Sequence, residues 1–346
     1  MLAALVTAAV VAPLSAAARP EIPAPDPAAL APPTAATLDE AYAANRANAE
    51  RASRMAAAHG DRKRAAADRA MADPSRRFLT FDGRGSGRAA EVFGDLARAD
   101  RIAVLVPGSD TSLDTYDRFR ATADHLRAEL DRRDAGDADP GAGPDAGAGT
   151  GTGTRIGTGA DPGARTAARP APGTRTAVVA WLGYETPGTV SAAVVTPGRA
   201  EQAAPGLREF VGELRGVVGG SARLSLLCHS YGSVVCAEAV PGLDVDDIVL
   251  VGSPGTGADS AAGLRTRARV WAGRGADDWV GEVPHVEAGL FGTTVGFGAD
   301  PLSPAFGARV FAAGDGGHSD YFAPGSVSLA NLARIVLGAT SEVTRA

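Results

Sequence analysis

Short apolar segments alternate with helical segments over most of the chain, and this alternation constrains the fold more than any other feature. Residues 102–106 are continuously apolar and end at Pro107-Gly108, which is typical of a strand buried on both faces of a sheet. Residues 78–81 and 89–93 flank a Gly-rich turn and predict an antiparallel pair at the sheet edge. Further strands are predicted at 176–181, 224–227, 247–251, 268–272 and 308–312, and helices at 113–130, 205–214, 234–240 and 329–337. The pattern predicts an α/β fold with a doubly wound, mostly parallel, eight-stranded sheet.

The domain built on this sheet is predicted to cover residues 77–340, and two segments of different amino-acid composition precede it. Residues 1–18 read as a signal-peptide-like segment, because an apolar run ends in Ser15-Ala16-Ala17-Ala18. This predicts a secreted or cell-envelope protein; an Ala-rich N-terminal helix is the alternative. The apolar run is too short for a stable membrane span. Residues 19–76 are predicted to be a Pro/Ala-rich tether followed by an Ala/Arg-rich helical extension over 37–72, broken near Gly60-Asp61.

Residues 131–175 interrupt the domain with a low-complexity segment. They consist almost entirely of Gly, Ala, Asp, Thr, Pro and Arg. Such a composition buries too little apolar surface to offset the entropy lost on ordering. We therefore predict a disordered insertion inside the domain rather than a boundary between domains.

Charge and cysteine content exclude several functional classes. The net charge is only −6, and acidic and basic residues are mixed along the chain, which argues against nucleic-acid binding. The two cysteines, Cys228 and Cys236, fall at a strand end and two turns into the next helix. That placement predicts that they are too far apart for a disulfide and act as small buried packing residues. No Cys/His spacing suits zinc, and no metal or cofactor is predicted.

Ser230 is the candidate nucleophile. A predicted strand runs into the segment Cys228-His229-Ser230-Tyr231-Gly232, and a helix follows at once. In a nucleophile elbow of this kind, the serine lies on a strained turn at the C-terminal end of the sheet, and the residues two before and two after it must be small. Gly232 fits this requirement, whereas Cys228 occupies the position where glycine is usual. His229 is predicted to point away from the serine and to pack.

A weak serine nucleophile needs a base and a carboxylate that orients the base. His318 follows the last predicted strand, where this architecture returns a histidine over the serine. The acid is expected after an intermediate strand, in the chain order Ser, acid, His. Asp277 and Asp278 both follow the strand at 268–272. Asp278 is favoured, because Val280 re-enters the core two residues later.

Two backbone N–H groups are predicted to form the oxyanion hole. One is that of Tyr231, directly after the nucleophile. The other is that of Ser109, after the strand at 102–106, because Gly108 lets this backbone approach the site.

Segments 78–130 and 176–338 resemble an uncharacterised α/β-hydrolase family of high-GC bacteria. The resemblance rests on Val106-Pro107-Gly108, the H-S-Y-G-S segment at 229–233 and the G-H-S-D-Y-F segment at 317–322. It implies an α/β-hydrolase fold with Ser230 as nucleophile and His318 as base. Only about fifteen residues separate 251 from 268, so no large cap domain is expected. Residues 279–306, which carry Trp279, Phe291 and Phe297, are either a loop that covers the site or an ordinary surface loop.

These residues predict a serine hydrolase that cleaves an ester-like acyl bond through an acyl-enzyme intermediate. The substrate class is a small-molecule or lipid-like ester. An acyltransferase with the same triad and a non-catalytic binding module on a hydrolase scaffold are the alternatives.

Overall fold

The computed structural model describes residues 22–138, 175–283, 287–290 and 293–346. The predicted signal-peptide-like segment lies outside the described residues, as do 139–174 of the predicted insertion. Residues 131–138 are helical and continue the preceding helix, so the insertion cannot begin before residue 139. The signal-peptide-like segment at 1–18 and the disordered insertion over 139–174 therefore stay predictions. Among the described residues, none of the helices combines the length and apolarity needed to cross a membrane.

An open eight-stranded sheet carries the fold. Its strands are β1 (Phe78–Asp82), β2 (Arg88–Gly94), β3 (Arg101–Val106), β4 (Thr176–Leu182), β5 (Arg223–His229), β6 (Asp247–Val251), β7 (Arg269–Gly273) and β10 (Arg309–Val310). Their spatial order is β1-β2-β4-β3-β5-β6-β7-β10. The first strand pair is antiparallel at the edge, β2 is also antiparallel to β4, and all other pairs are parallel. The predicted fold class is confirmed.

The last strand is shorter than the sequence predicts. Strand β10 covers only Arg309–Val310, whereas the predicted strand covers 308–312. Phe311 N–H still donates to Ala272 O of β7 at 3.0 Å, but Phe311 also forms a bridge to Arg345, and Ala312 N–H donates to Thr344 O at 2.9 Å. The C-terminal segment thus takes up the backbone of the last predicted strand residues, and this pairing has no local signal in the sequence.

Helices cover both faces of the sheet. They are α1 (Leu38–His59), α2 (Arg62–Met71), α3 (Tyr116–Ala138), α4 (Gly198–Val218), α5 (Gly232–Ala239) and α6 (Val327–Leu337). Alternate residues of β3 enter two separate cores: Val104 packs in the core that contains α4 and α5, and Leu105 in the core that contains α3 and α6. Helix α4 begins seven residues before Pro205, where the sequence predicts its start, so the proline lies inside the helix.

The region after β6 contains no cap domain. Residues 252–268 hold one short 3₁₀ turn, Ala262–Leu264, and return directly to β7. Between β7 and β10 lies a separate antiparallel hairpin of β8 (Glu287–Leu290) and β9 (Thr293–Gly296). The absence of a large cap, predicted from the short connection, is confirmed.

The helical extension packs against the domain rather than preceding it. The buried Asn45 of α1 donates from Nδ2 to the backbone oxygens of Phe78 and Leu79, at 3.1 and 2.9 Å. These bonds occupy carbonyl groups of β1, which is the edge strand of the sheet, and so cover an edge that would otherwise be open to pairing. The helix break at Gly60-Asp61 is as predicted, with Asp61 capping α2 through Arg64 N–H.

Cys228 and Cys236 form a disulfide, and the expectation that they are too far apart is wrong. Their Cα atoms lie 6.4 Å apart, within the range of roughly 4.4–6.8 Å that disulfides require. The distance is short because the chain reverses sharply at Ser230, so that α5 packs back along β5. Both cysteines are fully buried. The cysteine at the usual glycine position therefore joins the strand before Ser230 covalently to the helix after it.

Removing this bond should lower stability without abolishing the fold. The double variant Cys228→Gly/Cys236→Ala opens a loop with a sequence separation of 8. The entropy of closing so short a loop contributes about 2.5 kcal/mol to the free energy of unfolding. Denaturant unfolding under non-reducing conditions measures this loss in the free energy of unfolding. The variant Cys236→Ser, unfolded under reducing conditions, is the control for side-chain packing. An unchanged unfolding midpoint would show that the bond contributes nothing.

Candidate active site

Ser230 occupies a strained turn between β5 and α5. Its φ is 54°, a left-handed conformation that side chains other than glycine rarely adopt. The turn is held by a hydrogen bond from Ser230 N–H to Val251 O at 3.0 Å. Gly232 must be glycine, because a Cβ there would come within 2.6 Å of the carbonyl oxygens of Val106 and Pro107. The elbow geometry predicted from the sequence is thus present, and it places Ser230 at the carboxyl end of the sheet.

A continuous chain of hydrogen bonds joins Ser230, His318 and Asp278. The Nε2 atom of His318 lies 2.8 Å from Ser230 Oγ, and its Nδ1 atom lies 2.9 and 3.1 Å from the two carboxylate oxygens of Asp278. The Asp278 side chain is fully buried and that of His318 is 15% exposed. Asp277, the alternative acid, is exposed. The structure therefore brings together the three residues favoured from the sequence and leaves Asp277 apart.

The Asp278 carboxylate is held in its ionised form by its neighbours. Besides His318, it accepts hydrogen bonds from the Tyr321 hydroxyl and, at 2.9 Å, from Val280 N–H. Burial alone would raise the pKa of Asp278, but the hydrogen bonds from His318, Tyr321 and Val280 outweigh it and hold the pKa below its usual value. An ionised acid at this position favours a proton on Nδ1 of His318, which leaves Nε2 free to accept the proton of Ser230.

Two residues that support the acid were missed in the sequence. Tyr321 bridges two loops, because its hydroxyl also accepts a hydrogen bond from Gly275 N–H at 3.2 Å. Gly252, at the end of β6, has φ of 56°, and a Cβ there would lie 2.8 Å from Asp278 Oδ2 and 3.1 Å from His318 Cε1. Tyr321 belongs to the G-H-S-D-Y-F segment, which is the signal that pointed to it; nothing local to Gly252 marks it.

His229 packs, as predicted, but it packs against His318. The two rings lie 4.8 Å apart, and His229 Nε2 is 2.7 Å from the backbone oxygen of His318, to which it donates. Burial is the main cause that lowers the pKa of His229 to about 4, and the electrostatic interaction with the neighbouring His318 acts in the same direction. His229 is therefore a neutral donor near neutral pH, and it fastens the loop that carries His318 to the strand that carries Ser230.

The two predicted oxyanion donors lie beside Ser230. The Gly108 backbone lies against the Ser230 side chain, and Ser109 and Tyr231 both line the cavity in front of it. Among the described residues, neither backbone N–H of this pair has a hydrogen-bond partner. The loop that carries Ser109 is fixed on both sides, by a hydrogen bond from the Tyr184 hydroxyl to Pro107 O at 2.6 Å and by one from Asp110 N–H to Pro187 O at 3.0 Å.

The site opens on a cavity of about 680 Å³. This volume is in the range of small-molecule sites, roughly 300–1,000 Å³. The cavity lining includes the apolar residues Val194, Val195, Pro254, Trp279, Val283 and Phe297. Trp279 and Phe297 come from 279–306, so part of this segment lines the cavity; Phe291 lies outside the described residues.

Nothing in the described part of the chain resembles a metal centre. No group of three or more His, Cys, Asp or Glu side chains there is placed to hold a metal ion. The polar groups at the site are a serine hydroxyl, an imidazole, a buried carboxylate and two backbone N–H groups, which is a set that acyl-transfer chemistry can use.

Comparison with known proteins places the chain in a family. A family model described as alpha/beta hydrolase matches residues 82–150 and 153–288, together more than half of the chain. Two uncharacterized proteins of Mycobacterium tuberculosis, from strains CDC 1551 / Oshkosh and H37Rv, are each 34% identical to it over 193 residues. That match covers 48% of this chain and only 29% of each of those proteins.

Solved structures of similar fold include several esterases. Esterase PE8 is 14% identical with a TM-score of 0.42, over 72% of this chain and 97% of its own. XC6422 from Xanthomonas campestris, described as an a/b serine hydrolase without lid, is 14% identical with a TM-score of 0.41. The match covers 79% of this chain and 98% of that one. Esterase LipW from Mycobacterium marinum is 14% identical with a TM-score of 0.39, over 83% and 88%.

Proposed function

The chain belongs to the alpha/beta hydrolase family, and we propose that it is a serine hydrolase that cleaves an ester-like acyl bond through an acyl-enzyme intermediate. The observation that carries the proposal is the hydrogen-bonded series Ser230, His318 and Asp278 at the mouth of a largely apolar cavity. A structural serine on a turn would have no reason to adopt a strained φ and to face a histidine that is itself oriented by a buried carboxylate.

In the proposed reaction, Ser230 Oγ attacks the carbonyl carbon of the ester while its proton passes to His318 Nε2. The Asp278 carboxylate stabilises the resulting imidazolium through Nδ1–H and is not itself protonated. The negative charge on the carbonyl oxygen is received by the N–H groups of Tyr231 and Ser109. His318 then gives its proton to the departing alcohol, and a water activated by the same imidazole releases the acid from Ser230.

Hydrolysis of 4-nitrophenyl esters from acetate to dodecanoate tests this function. A hydrolase that forms an acyl-enzyme should release a burst of nitrophenol equal to the enzyme concentration when deacylation is slow. A binding module on the same scaffold would give no turnover above that of the Ser230→Ala variant for any ester of the series. That result would reject the proposal.

We also propose that the protein is exported. The support is the signal-peptide-like segment at 1–18 together with the Cys228–Cys236 disulfide, because such bonds persist in oxidising compartments. N-terminal sequencing of native protein should find a mature start near Arg19, and the protein should fractionate outside the cytoplasm. Mature protein that retains Met1 would contradict export by this segment.

A further inference from the structure

Part of the cavity lining comes from the first turns of α3 and from the 3₁₀ turn before it. Arg118, Phe119 and Thr122 lie on one side of α3, since Thr122 follows them by four and three positions, and Thr115 is the last residue of the 3₁₀ turn Leu113–Thr115. Thr111, in the loop before the helix, and Ser319, beside His318, also line the cavity. The lining thus combines several hydroxyl groups and one guanidinium with the apolar residues named above.

Arg118 is the one lysine or arginine among the described lining residues. Its side chain is exposed, and among the described residues it forms no ion pair and no hydrogen bond. The carboxylate that also lines the cavity, Asp110, is already engaged by the backbone N–H and the hydroxyl of Thr189. Among the described residues, the Arg118 guanidinium therefore has no direct ion-pair partner.

The absence of a partner has a specific origin. A carboxylate four residues before an arginine on a helix face is its usual neighbour, and Asp114 lies at that distance from Arg118. Asp114 is instead held by Arg64 of α2, with Nε to Oδ1 at 2.7 Å, and the Arg64 side chain is only 2% exposed. Arg64 also donates to the backbone oxygens of Gly83 and Gly85, which fixes it in place. The helical extension thus pairs with the carboxylate that lies four positions before Arg118.

We infer that Arg118 binds an anionic group of the substrate, a carboxylate or a phosphate, while the apolar residues of the cavity lining contact its hydrocarbon part. The inference rests on the proposed ester hydrolase function and names its substrate class: amphipathic esters with a negative charge at one end. A guanidinium with all five N–H donors free is suited to bind either oxyanion in a bidentate manner. Arg118 acts on substrate selection and takes no part in the chemical step.

Two matched ester pairs test the inference and locate the charge. In the first pair the anion is on the acyl chain: the 4-nitrophenyl monoester of adipic acid against 4-nitrophenyl hexanoate. In the second it is on the leaving group: the hexanoate ester of 4-hydroxybenzoate against that of methyl 4-hydroxybenzoate. The ratio of kcat/KM, anionic over neutral, should be about fivefold higher in the wild type than in Arg118→Gln for one pair, as for an exposed ion pair. The difference between the wild type and Arg118→Gln should appear in KM rather than in kcat, and it should become smaller at high salt.

Arg69→Gln is the matched control, because Arg69 is an exposed arginine of α2 outside the cavity lining and its loss changes the net charge equally. It should leave both ratios unchanged. If Arg118→Gln and the wild type give the same ratio for both pairs, the inference is wrong. A protein that hydrolyses all four esters with an anionic-over-neutral ratio that does not depend on Arg118 overturns the inference alone, whereas a protein that hydrolyses none of the four overturns the proposed function as well.

Discussion

Replacing Asp278 with asparagine is expected to lower kcat by up to about 10⁴-fold, the loss seen when the orienting acid of a serine protease is replaced in the same way. The buried Asp278 accepts from His318 Nδ1 at 2.9 Å. An amide there can no longer stabilise the imidazolium, and it favours the wrong tautomer of His318. The measurement is kcat for a 4-nitrophenyl ester, with thermal unfolding to verify the fold.

Asp277→Asn is the matched control for this prediction. Asp277 is adjacent in sequence but exposed, so its replacement should change kcat by less than about twofold, as is usual for surface substitutions. If Asp277→Asn is instead the variant that loses activity, the acid is Asp277 and not Asp278. If neither substitution lowers kcat by more than about tenfold, which corresponds to about 1.4 kcal/mol of activation free energy, the acid lies elsewhere.

Ser230→Ala should remove ester hydrolysis almost completely, by about 10⁶-fold in kcat, since loss of the nucleophile disables the triad as a unit. The free energy of unfolding should stay within about 1 kcal/mol of the wild type, because alanine keeps the Cβ and removes one half-buried hydroxyl. Ser319→Ala is the control, as Ser319 is an exposed serine that lines the same cavity. Equal activity losses in the two variants would show that the effect does not arise from a nucleophile.

The strands and the fold class could be predicted because a buried parallel strand leaves a strong local signal. Val104 and Leu105 enter opposite cores, so β3 must be apolar throughout, and Pro107-Gly108 marks its end. Asp278 could be separated from Asp277 by the same kind of reasoning, because Val280 is buried and fixes which of the two carboxylates turns inward. In each case the information lies within a few residues of the prediction.

The disulfide and the supports of the acid could not be predicted, because they depend on distances between segments. The Cys228–Cys236 contact exists since the strained turn at Ser230 folds α5 back onto β5, which reduces a separation estimated along the chain to 6.4 Å. Tyr321 reaches Asp278 across 43 positions of sequence. The role of the helical extension is of the same kind: Arg64 meets Asp114 only because α2 packs on the turn before α3.

The most direct measurement is the site of reaction with a fluorophosphonate probe, read by mass spectrometry of the digested protein. We expect one probe per chain, attached to the peptide that contains Ser230, with labelling slowed in Asp278→Asn and unaffected in Asp277→Asn. An intact, folded protein that takes up no probe, or that carries it on another residue such as Ser109 or Ser319, would contradict the assignment of Ser230 as the nucleophile.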